Sequence, residues 1–551
     1  MPNKIYNKHV LISIDSSTLL AGARQVEKTL EKTLKKEKLT DSVKLIETGS
    51  LGLSDKGVVL VVYPEGVHYV NVTEKDVEEI VQKHFKEGEI VDRLLLEREP
   101  EVSTVRYAQE EFQLEKQARI VLKNCGIINP EDIEEYIAVN GYSALGRALT
   151  DMKPVDIIAE MKKSQLRGRG GAGFPLWFKW DAVRKEKTTP KYIVCNADEG
   201  EPGTFKDRLI LEGDPHRIIE AMVIAGYVTG AERGYIYIRG EYDLSISRME
   251  RAIKKAYEYN LLGKNIFETD YCFDLEVKKG AGSYVCGEET ALLESLEGKR
   301  ATPRHKPPFP TEKGLWQKPT VINNVETLAN VPDIILNGGN WFKGYGTDQS
   351  TGTKVYTILG HLTYPGLIEV EMGTTLREII YKYGGGISTG KKFKATLIGG
   401  AAGAFLDETA LDIRLSYEDL GEYDAVLGSG AIMVMDESAC MIDILGSTMR
   451  FFQHESCGQC SPCRVGYQQL TQYVARISEG VGTKSDLDDM IELASFMKGS
   501  AICALGQSAY LAVSSILKYF GKEFEEHAVD KVCSAGICPM SKVKEKIQVG
   551  G

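Results

Sequence analysis

The first 124 residues of this sequence contain no cysteine, and the chain has no apolar run long enough to span a bilayer. Its start, Met1-Pro2-Asn3-Lys4, leads into no signal-peptide core. Positive charge is in deficit, with a formal net charge of −11, which argues against a nucleic-acid partner. At 551 residues the chain exceeds what one core supports. We therefore expect a cytoplasmic multidomain protein without direct membrane insertion.

Most of the eleven cysteines lie in the last quarter of the chain, and their odd number suits metal ligation better than a disulfide framework. Cys457, Cys460 and Cys463 follow one another at x2 spacing, which presents three thiolates to one [4Fe-4S] cube. Cys503 is the natural fourth ligand. A zinc knot and free thiols are the alternatives, but the spacing is ferredoxin-like. The pattern predicts an electron-transfer protein.

The segments before this loop differ in their hydrophobic periodicity. Residues 8–95 read as a β–α–β–β–α module, with strands at 10–13, 43–46 and 57–64 and helices at 23–39 and 74–85. A helical period covers 100–160, strands and helices separated by Gly-rich loops cover 165–335, a mixed α/β insert covers 352–418, and helices follow from 436. The cysteine loop is thus predicted to lie in a helical domain.

The glycine-rich centre begins with Gly168-Arg169-Gly170-Gly171-Ala172-Gly173, a literal G-x-G-x-x-G. The context differs from a Rossmann turn, because a helical segment at 155–163 precedes it and Phe174-Pro175 follow where a helix would begin. One interpretation is a turn packed against other backbone. The other is a ligand bed where backbone amides approach a flavin or nucleotide, while Arg169 and Lys179 offer charge to phosphates.

Acidic residues crowd around further glycines. The predicted strand 192–195 runs into the acidic loop 196–205, at a strand's carboxyl end where α/β proteins bind ligands. A second Gly-rich loop at 280–292 leads into a helix, and the segments 306–310 and 319–327 follow. Because carboxylates do not attract phosphate, we expect them to hold hydroxyls of a ribose or ribityl chain, or a nicotinamide amide.

These motifs, with the cysteine loop, closely resemble the FMN- and NADH-binding subunit of respiratory complex I and its relatives in NAD-linked and electron-bifurcating hydrogenases, especially the hydrogenase-type beta subunit. The resemblance covers nearly the whole chain and implies a multidomain α/β and α protein. The implied domains are thioredoxin-like (1–98), FMN- and NADH-binding α/β with a non-Rossmann fold (99–340), ubiquitin-like SLBB (341–432), four-helix [4Fe-4S] (433–525) and a hinge-like tail (526–551).

The resemblance also implies binding residues, because the family's motifs match this sequence position by position. FMN would be lined by Gly168, Arg169, Gly170, Lys179, Asn196, Asp198, Glu199, Tyr284, Gly287, Glu288, Asn323 and Asn324. NADH would be faced by Gly171, Phe174, Lys179, Glu201, Phe205, Glu289 and Phe309, with the aromatic rings stacking on the nucleotide. No side chain needs to act as an acid or base in hydride transfer itself.

The N-terminal module departs from the hydrogenase-type relatives, in which four cysteines hold a [2Fe-2S] cluster. Here the ligand places read Ser13, Thr18, Ser50 and Ser54. We therefore expect a clusterless domain that acts as a docking surface.

The tail is a second departure. The relatives continue from such a segment into a two-cluster ferredoxin domain, whereas this sequence ends at Gly551. His527, Cys533 and Cys538, with Cys440, supply the ligand set of a tetrahedral zinc site. The alternative is a frayed tail with idle thiols and a Cys440 that belongs to the core.

The predicted function is hydride exchange between NADH and FMN, followed by single-electron transfer to the cluster. The implied partners are a small [2Fe-2S] thioredoxin-like subunit and a multi-cluster iron–sulfur subunit, linked to a hydrogenase and ferredoxin. We keep two alternatives: the flavin subunit of complex I, and a scaffold that has lost catalysis. The sequence decides neither the terminal acceptor nor NAD over NADP.

Overall fold

The computed structural model describes residues 6–53, 55–96 and 117–541. The N-terminal domain is a four-stranded mixed sheet of order β2-β1-β3-β4, in which β1 pairs parallel with β2 and antiparallel with β3. Its elements are β1 (Lys8–Ser13), α1 (Ser16–Leu20), α2 (Ala23–Lys36), β2 (Val43–Thr48), β3 (Leu60–Tyr63), β4 (Val67–Tyr69) and α3 (Val77–Glu79), which continues as a π-helix over Ile80–Glu87. The predicted β–α–β–β–α order is confirmed, with β4 added. The thioredoxin-like assignment stays a prediction.

The central domain is built on a parallel sheet of order β7-β6-β5-β8. Its strands are β5 (Tyr192–Ala197), β6 (Arg233–Ile238), β7 (Asp274–Lys279) and β8 (Thr320–Asn324). Its helices are α4 (Ile133–Ala138), α5 (Ser143–Thr150), α6 (Pro154–Ser164), α7 (Leu176–Lys185), α8 (Lys206–Gly213), α9 (Pro215–Thr229), α10 (Asp243–Glu258), α11 (Glu289–Leu296), α12 (Pro310–Lys313), α13 (Val325–Ala329), α14 (Val331–Asn337) and α15 (Gly339–Lys343). Because α9 is buried on nearly every face, it forms the centre of the core.

One detail of the glycine-rich centre was predicted wrongly. A helix does begin after Phe174-Pro175, because the proline stands immediately before the first turn of α7, where its fixed φ is tolerated. The element before the glycines is nevertheless helix α6 and not a strand. The motif therefore joins two helices, and the non-Rossmann prediction holds.

The SLBB region is a five-stranded sheet of order β10-β9-β13-β11-β12. Its elements are β9 (Thr353–Gly360), β10 (Gly366–Glu371), a π-helix (Glu378–Tyr383), β11 (Phe393–Ile398), β12 (Ala404–Leu406), α16 (Tyr417–Glu422) and β13 (Ala431–Asp436). It is clamped to the central domain by two buried lysines that share one buried carboxylate. Glu326 accepts from Lys206 at 2.9 Å and from Lys354 of β9 at 2.7 Å.

The carboxyl-terminal region is helical, as predicted. It contains α17 (Met441–Glu455), α18 (Ser461–Ser478), α19 (Lys484–Ser500), α20 (Ala504–Gln507), α21 (Ala509–Glu525) and a π-helix (Glu526–Asp530). The long helices pack around an apolar core that includes Met449, Leu470 and Ile516. Over the ranges that the structure describes, no helix is both long and apolar enough to cross a membrane.

The N-terminal domain packs against the central domain through the edge where its relatives hold a cluster. Ser13, Thr18 and Ser50 are buried there, while Ser54 lies outside the described residues. The Ser13 hydroxyl donates to Asp15, and Thr18 completes the N-terminal cap of α1. The expected docking surface is thus engaged within the chain itself on this edge.

Candidate functional site

The motifs singled out in the sequence converge at one edge of the central sheet. The acidic loop follows β5, the second Gly-rich loop follows β7, and Asn324 ends β8, so all three meet at the carboxyl ends of parallel strands. That edge is where α/β sheets bind ligands. The glycine bed between α6 and α7 adjoins it: a Cβ on Gly170 would lie 2.9 Å from the Cβ of Asn324. The bed therefore requires glycine at this position.

Arg169 does not serve the role predicted for its charge. Its side chain is buried and directed away from the cleft, where its guanidinium donates to the carbonyls of Thr351 at 2.6 Å and Thr353 at 3.2 Å. The physical reason is that these carbonyls precede and begin β9 and would otherwise be unsatisfied in the buried junction. Arg169 joins the glycine bed to the SLBB region and leaves phosphate binding to other cations.

Two lysines and two glutamates form the charged part of the cleft. Lys179 approaches Glu289 at 3.5 Å, and Lys306 donates to Glu289 at 2.7 Å and to Glu288 at 2.9 Å. The lysines hold the pKa of Glu289 below its usual range despite burial, which alone would raise it. Lys306 was not among the predicted binding residues, although its motif was noted. Its position next to Phe309 was the signal that could have identified it.

Asp198 is the residue whose environment most clearly calls for a ligand. It is 8 % exposed, and neither carboxylate oxygen has a hydrogen-bond partner among the described residues. Burial raises its pKa to about 7. Nearby, Asn196 donates to the Gly287 carbonyl at 2.8 Å, and a Cβ on Gly287 would lie 3.2 Å from the Asp198 carbonyl oxygen. An unsatisfied acceptor beside a glycine-lined cradle fits the hydroxyls of the predicted flavin's ribityl chain.

Three predicted flavin residues use their side chains within the protein. Glu199 accepts from the backbone N–H groups at the start of α8, Asn323 accepts from Trp180 at 2.8 Å, and Asn324 donates to Asp207 at 2.6 Å. These contacts fix the walls of the cradle. The side chains of Glu199 and Asn323 are therefore placed as supports, which sequence motifs alone could not distinguish from direct contacts.

The mouth of the cleft is aromatic and exposed. Phe174 and Phe178 lie edge to face with ring centroids 5.5 Å apart, and both are exposed, as is Phe309. Phe205 is half-buried, with the Arg208 guanidinium 5.6 Å from its ring centroid. Exposed phenylalanines are costly in water but suit stacking on a nucleotide base. Phe178 was missed by the sequence analysis, which had no reason to prefer it over a core position.

Glu201 lies at the meeting point of three domains. Its carboxylate accepts from the Tyr284 hydroxyl at 2.7 Å and from the Ala402 backbone N–H at 3.2 Å. Burial raises the pKa of Glu201, and both hydrogen bonds oppose that shift. Tyr284 also donates its backbone N–H to Glu455 at the end of α17, at 2.9 Å, and its ring packs on Phe451 and Phe452. The flavin cradle is thus joined directly to the cysteine-bearing domain.

All four predicted cluster cysteines line one cavity of about 260 Å³, together with Val285, Pro303 and other residues. Cys460 and Cys503 stand at the N-caps of α18 and α20, and Cys463 lies in the first turn of α18. Burial raises the pKa of Cys463 to about 12, a cost that bound iron removes because it stabilises the thiolate. Four cysteines around one cavity fit a [4Fe-4S] cube.

The tail brings the second predicted ligand set together. Cys440, His527, Cys533 and Cys538 are buried, and their ligand atoms lie within 4.8 Å of one another. Cys440 Sγ lies 3.5 Å from both His527 Nε2 and Cys538 Sγ. His527 Nδ1 lies 2.8 Å from the Glu523 carbonyl oxygen, the outer contact that metal-binding histidines make. The alternative of a frayed tail with idle thiols does not describe this arrangement.

Comparison with known proteins agrees with these sites. Family models match for the Nuo51 FMN-binding domain at residues 161–333, the SLBB domain at 355–403 and the NADH-ubiquinone oxidoreductase-F iron–sulfur binding region at 443–527. The FMN and [4Fe-4S] regions are therefore both present in this chain.

Similar whole proteins come from two kinds of complex. The chain is 50 % identical over 423 residues to the NADP-reducing hydrogenase subunit HndC of Solidesulfovibrio fructosivorans, covering 77 % of this chain and 86 % of the relative. It is 44 % identical over 398 residues to a subunit of the NADH-quinone oxidoreductase of Escherichia coli, covering 72 % and 89 %. A crystal structure of an NAD⁺-reducing [NiFe]-hydrogenase in its H₂-reduced state matches with a TM-score of 0.67 at 27 % identity, covering 95 % of this chain and 84 % of that one. The chain belongs to the family of FMN- and [4Fe-4S]-binding subunits of NADH-quinone oxidoreductases and NAD(P)-linked hydrogenases.

Proposed function

We propose that this chain is the electron-entry subunit of a hydrogenase-type complex, where it exchanges hydride between NAD(H) and FMN and passes electrons singly to its own cluster. The observation that carries this proposal is the direct junction at Tyr284. One residue contacts Glu201 on the nucleotide side and Glu455 beside the Cys457 loop. A flavin site and a cluster cavity that share a contact residue suit electron transfer between them.

FMN, when bound, accepts an electron pair as hydride and releases it one electron at a time to a cluster. The residues of the chain supply binding and orientation. Asp198 would accept from ribityl hydroxyls, Lys179 and Lys306 would exchange their carboxylate partners for nucleotide phosphates, and Phe174 and Phe309 would stack on nucleotide rings. Holding both ring systems in register is the contribution required for hydride transfer.

A test is NADH oxidation by the isolated full chain reconstituted with FMN, with ferricyanide or a viologen as acceptor. We expect NADH-dependent bleaching of the flavin absorbance and steady turnover. Glu201→Ala should raise the KM for NADH while FMN stays bound, whereas Glu241→Ala, which removes an exposed carboxylate from the neighbouring β6 loop, should change neither. A bound flavin that NADH cannot reduce would refute the proposal and favour the scaffold alternative.

The hydrogenase-type assignment over complex I is supported by the 50 % identity to HndC and by the extra N-terminal domain. The partners we propose are a small [2Fe-2S] subunit and a multi-cluster iron–sulfur subunit connected to a hydrogenase. Affinity purification of the tagged chain from its native source, followed by mass spectrometry, tests this. Co-purification of quinone-reducing membrane subunits instead would assign the chain to complex I. Because HndC is named as NADP-reducing, NADH and NADPH should be compared in the same assay.

We also propose one zinc ion at Cys440, His527, Cys533 and Cys538, which would anchor the tail to the helical domain. Three thiolates and one imidazole suit tetrahedral zinc, and the buried position suits a structural role. Elemental analysis of anaerobically purified chain tests it. We expect about one zinc and about four iron per FMN, and two additional iron atoms would contradict the clusterless N-terminal domain.

A further inference from the structure

The loop between β11 and β12, Gly399–Gly403, reaches out of the SLBB region and lies over Glu201. Ala402 donates its backbone N–H to Glu201 Oε1 at 3.2 Å. The remaining carboxylate oxygen accepts from Tyr284, so the side chain is held from two domains at once. This loop belongs to none of the motifs that drew attention to the cleft.

Gly400 shows how closely the loop approaches. A Cβ at this position would lie 2.4 Å from Glu201 Cγ and 2.6 Å from both Cδ and Oε1, and the residue has a φ of +83°. Glycine is therefore required twice, once by the left-handed backbone and once by the carboxylate against it. Because the atoms that would clash belong to a flexible side chain, a methyl group at Gly400 would displace Glu201 and leave the backbone in place.

We propose that the SLBB loop Gly399–Gly403 is a positioning element of the nucleotide site, which orients the Glu201 carboxylate and keeps it ionised. The inference rests on the proposed function of Glu201. Burial raises the pKa of Glu201, and the backbone N–H of Ala402 acts in the opposite direction. The loop can hold this position because the SLBB region is clamped to the central domain by Lys354 on Glu326 and by the Tyr417 hydroxyl on the Gly168 carbonyl.

Gly400→Ala tests the inference, with Gly390→Ala as its matched control. Gly390 lies in the same SLBB region and also has a positive φ, of +71°, but a Cβ there meets nothing within 4 Å among the described residues. Both variants carry the same backbone strain, and only Gly400→Ala disturbs Glu201. We expect Gly400→Ala to raise the KM for NADH about tenfold or more, the effect of losing a hydrogen bond to a charged group. The kcat, FMN content and melting temperature should match those of Gly390→Ala.

A double-mutant cycle shows whether the loop acts through Glu201. In a Glu201→Ala background, Gly400→Ala should add no further rise in KM. Additive effects, or an unchanged KM in Gly400→Ala alone, would overturn the inference. If Glu201→Ala itself leaves the KM unchanged, the proposed function of Glu201 fails, which is a separate outcome.

Hydrogen–deuterium exchange provides a measurement that does not depend on the Gly400 variant. The peptide that contains Ala402 should lose protection in Glu201→Ala, because its N–H loses its acceptor. It should keep that protection in Glu241→Ala. Equal protection in both variants would overturn the inference.

Discussion

The Tyr284 hydroxyl donates to a buried carboxylate, so its removal should change how the site depends on pH. Tyr284→Phe keeps the ring that packs on Phe451 and Phe452 and the backbone N–H that contacts Glu455. Only the 2.7 Å hydrogen bond to Glu201 is lost. The variant therefore separates the electrostatic role of Tyr284 from its packing.

The expected effect follows from the sign of each contribution. A hydrogen bond to a charged group stabilises it by about 1.5–3 kcal/mol, so kcat/KM for NADH should fall about tenfold or more at neutral pH. Burial already raises the pKa of Glu201, and the hydroxyl lowers it. Without the hydroxyl the pKa rises further. Because the ionised form is lost as the pH falls through that value, the acidic limb of the activity profile should move to higher pH.

The assay is kcat/KM for NADH with ferricyanide between pH 5 and 9, with FMN content measured in parallel. Tyr271→Phe is the control, because its hydroxyl donates to the Ala231 carbonyl just before β6, at the opposite edge of the parallel sheet. An acidic limb that stays in place in Tyr284→Phe, or that moves equally in Tyr271→Phe, would refute the reasoning.

Three further predictions concern the metals and the domain junction. Cys460→Ser should abolish the cluster's visible and EPR signals while FMN remains bound and reducible by NADH; persistent reduction of the natural acceptor would show another exit route. Cys538→Ser should lose zinc and expose the tail to protease, whereas Cys272→Ser, which lies outside the ligand group, should do neither. Arg248→Ala removes a buried guanidinium that donates to the Ile14 and Glu212 carbonyls, so it should cost about 3 kcal/mol in unfolding free energy. The half-exposed Arg251 should cost less than about 1 kcal/mol when replaced by Ala, and equal losses would contradict this assignment.

Local patterns in the sequence predicted the elements well, because periodicity and spacing are local properties. The ligand set of the cluster followed from the spacing of Cys457, Cys460 and Cys463, and the cavity that holds them also includes Cys503. Contacts between domains were beyond such reasoning. Arg169 sits in a phosphate-like motif, yet its guanidinium satisfies carbonyls of a distant segment. Only the folded chain shows which groups need a partner.

The same limit applies to the loop over Glu201. Gly399-Gly400 reads in the sequence as an ordinary turn between two strands, and nothing nearby marks it as part of a binding site. Its role depends on the 2.4 Å approach of a hypothetical Cβ to a residue about two hundred positions away. Glycines that are required by a distant side chain differ from glycines required by their own φ, and only the second kind leaves a local signal.

The N-terminal edge shows why a lost cluster does not leave an empty pocket. Hydroxyls are poor ligands for iron, but they are good hydrogen-bonding groups. Ser16 of the same edge donates to Glu212, and Gly49 approaches Gly213 so closely that a Cβ would lie 2.5 Å from its Cα. An edge so tightly packed against the central domain contributes to cohesion between the two domains. Within residues 6–53, 55–96 and 117–541, electrons from the flavin then have the Cys457 cavity as their route, and a partner's cluster must dock elsewhere on the chain.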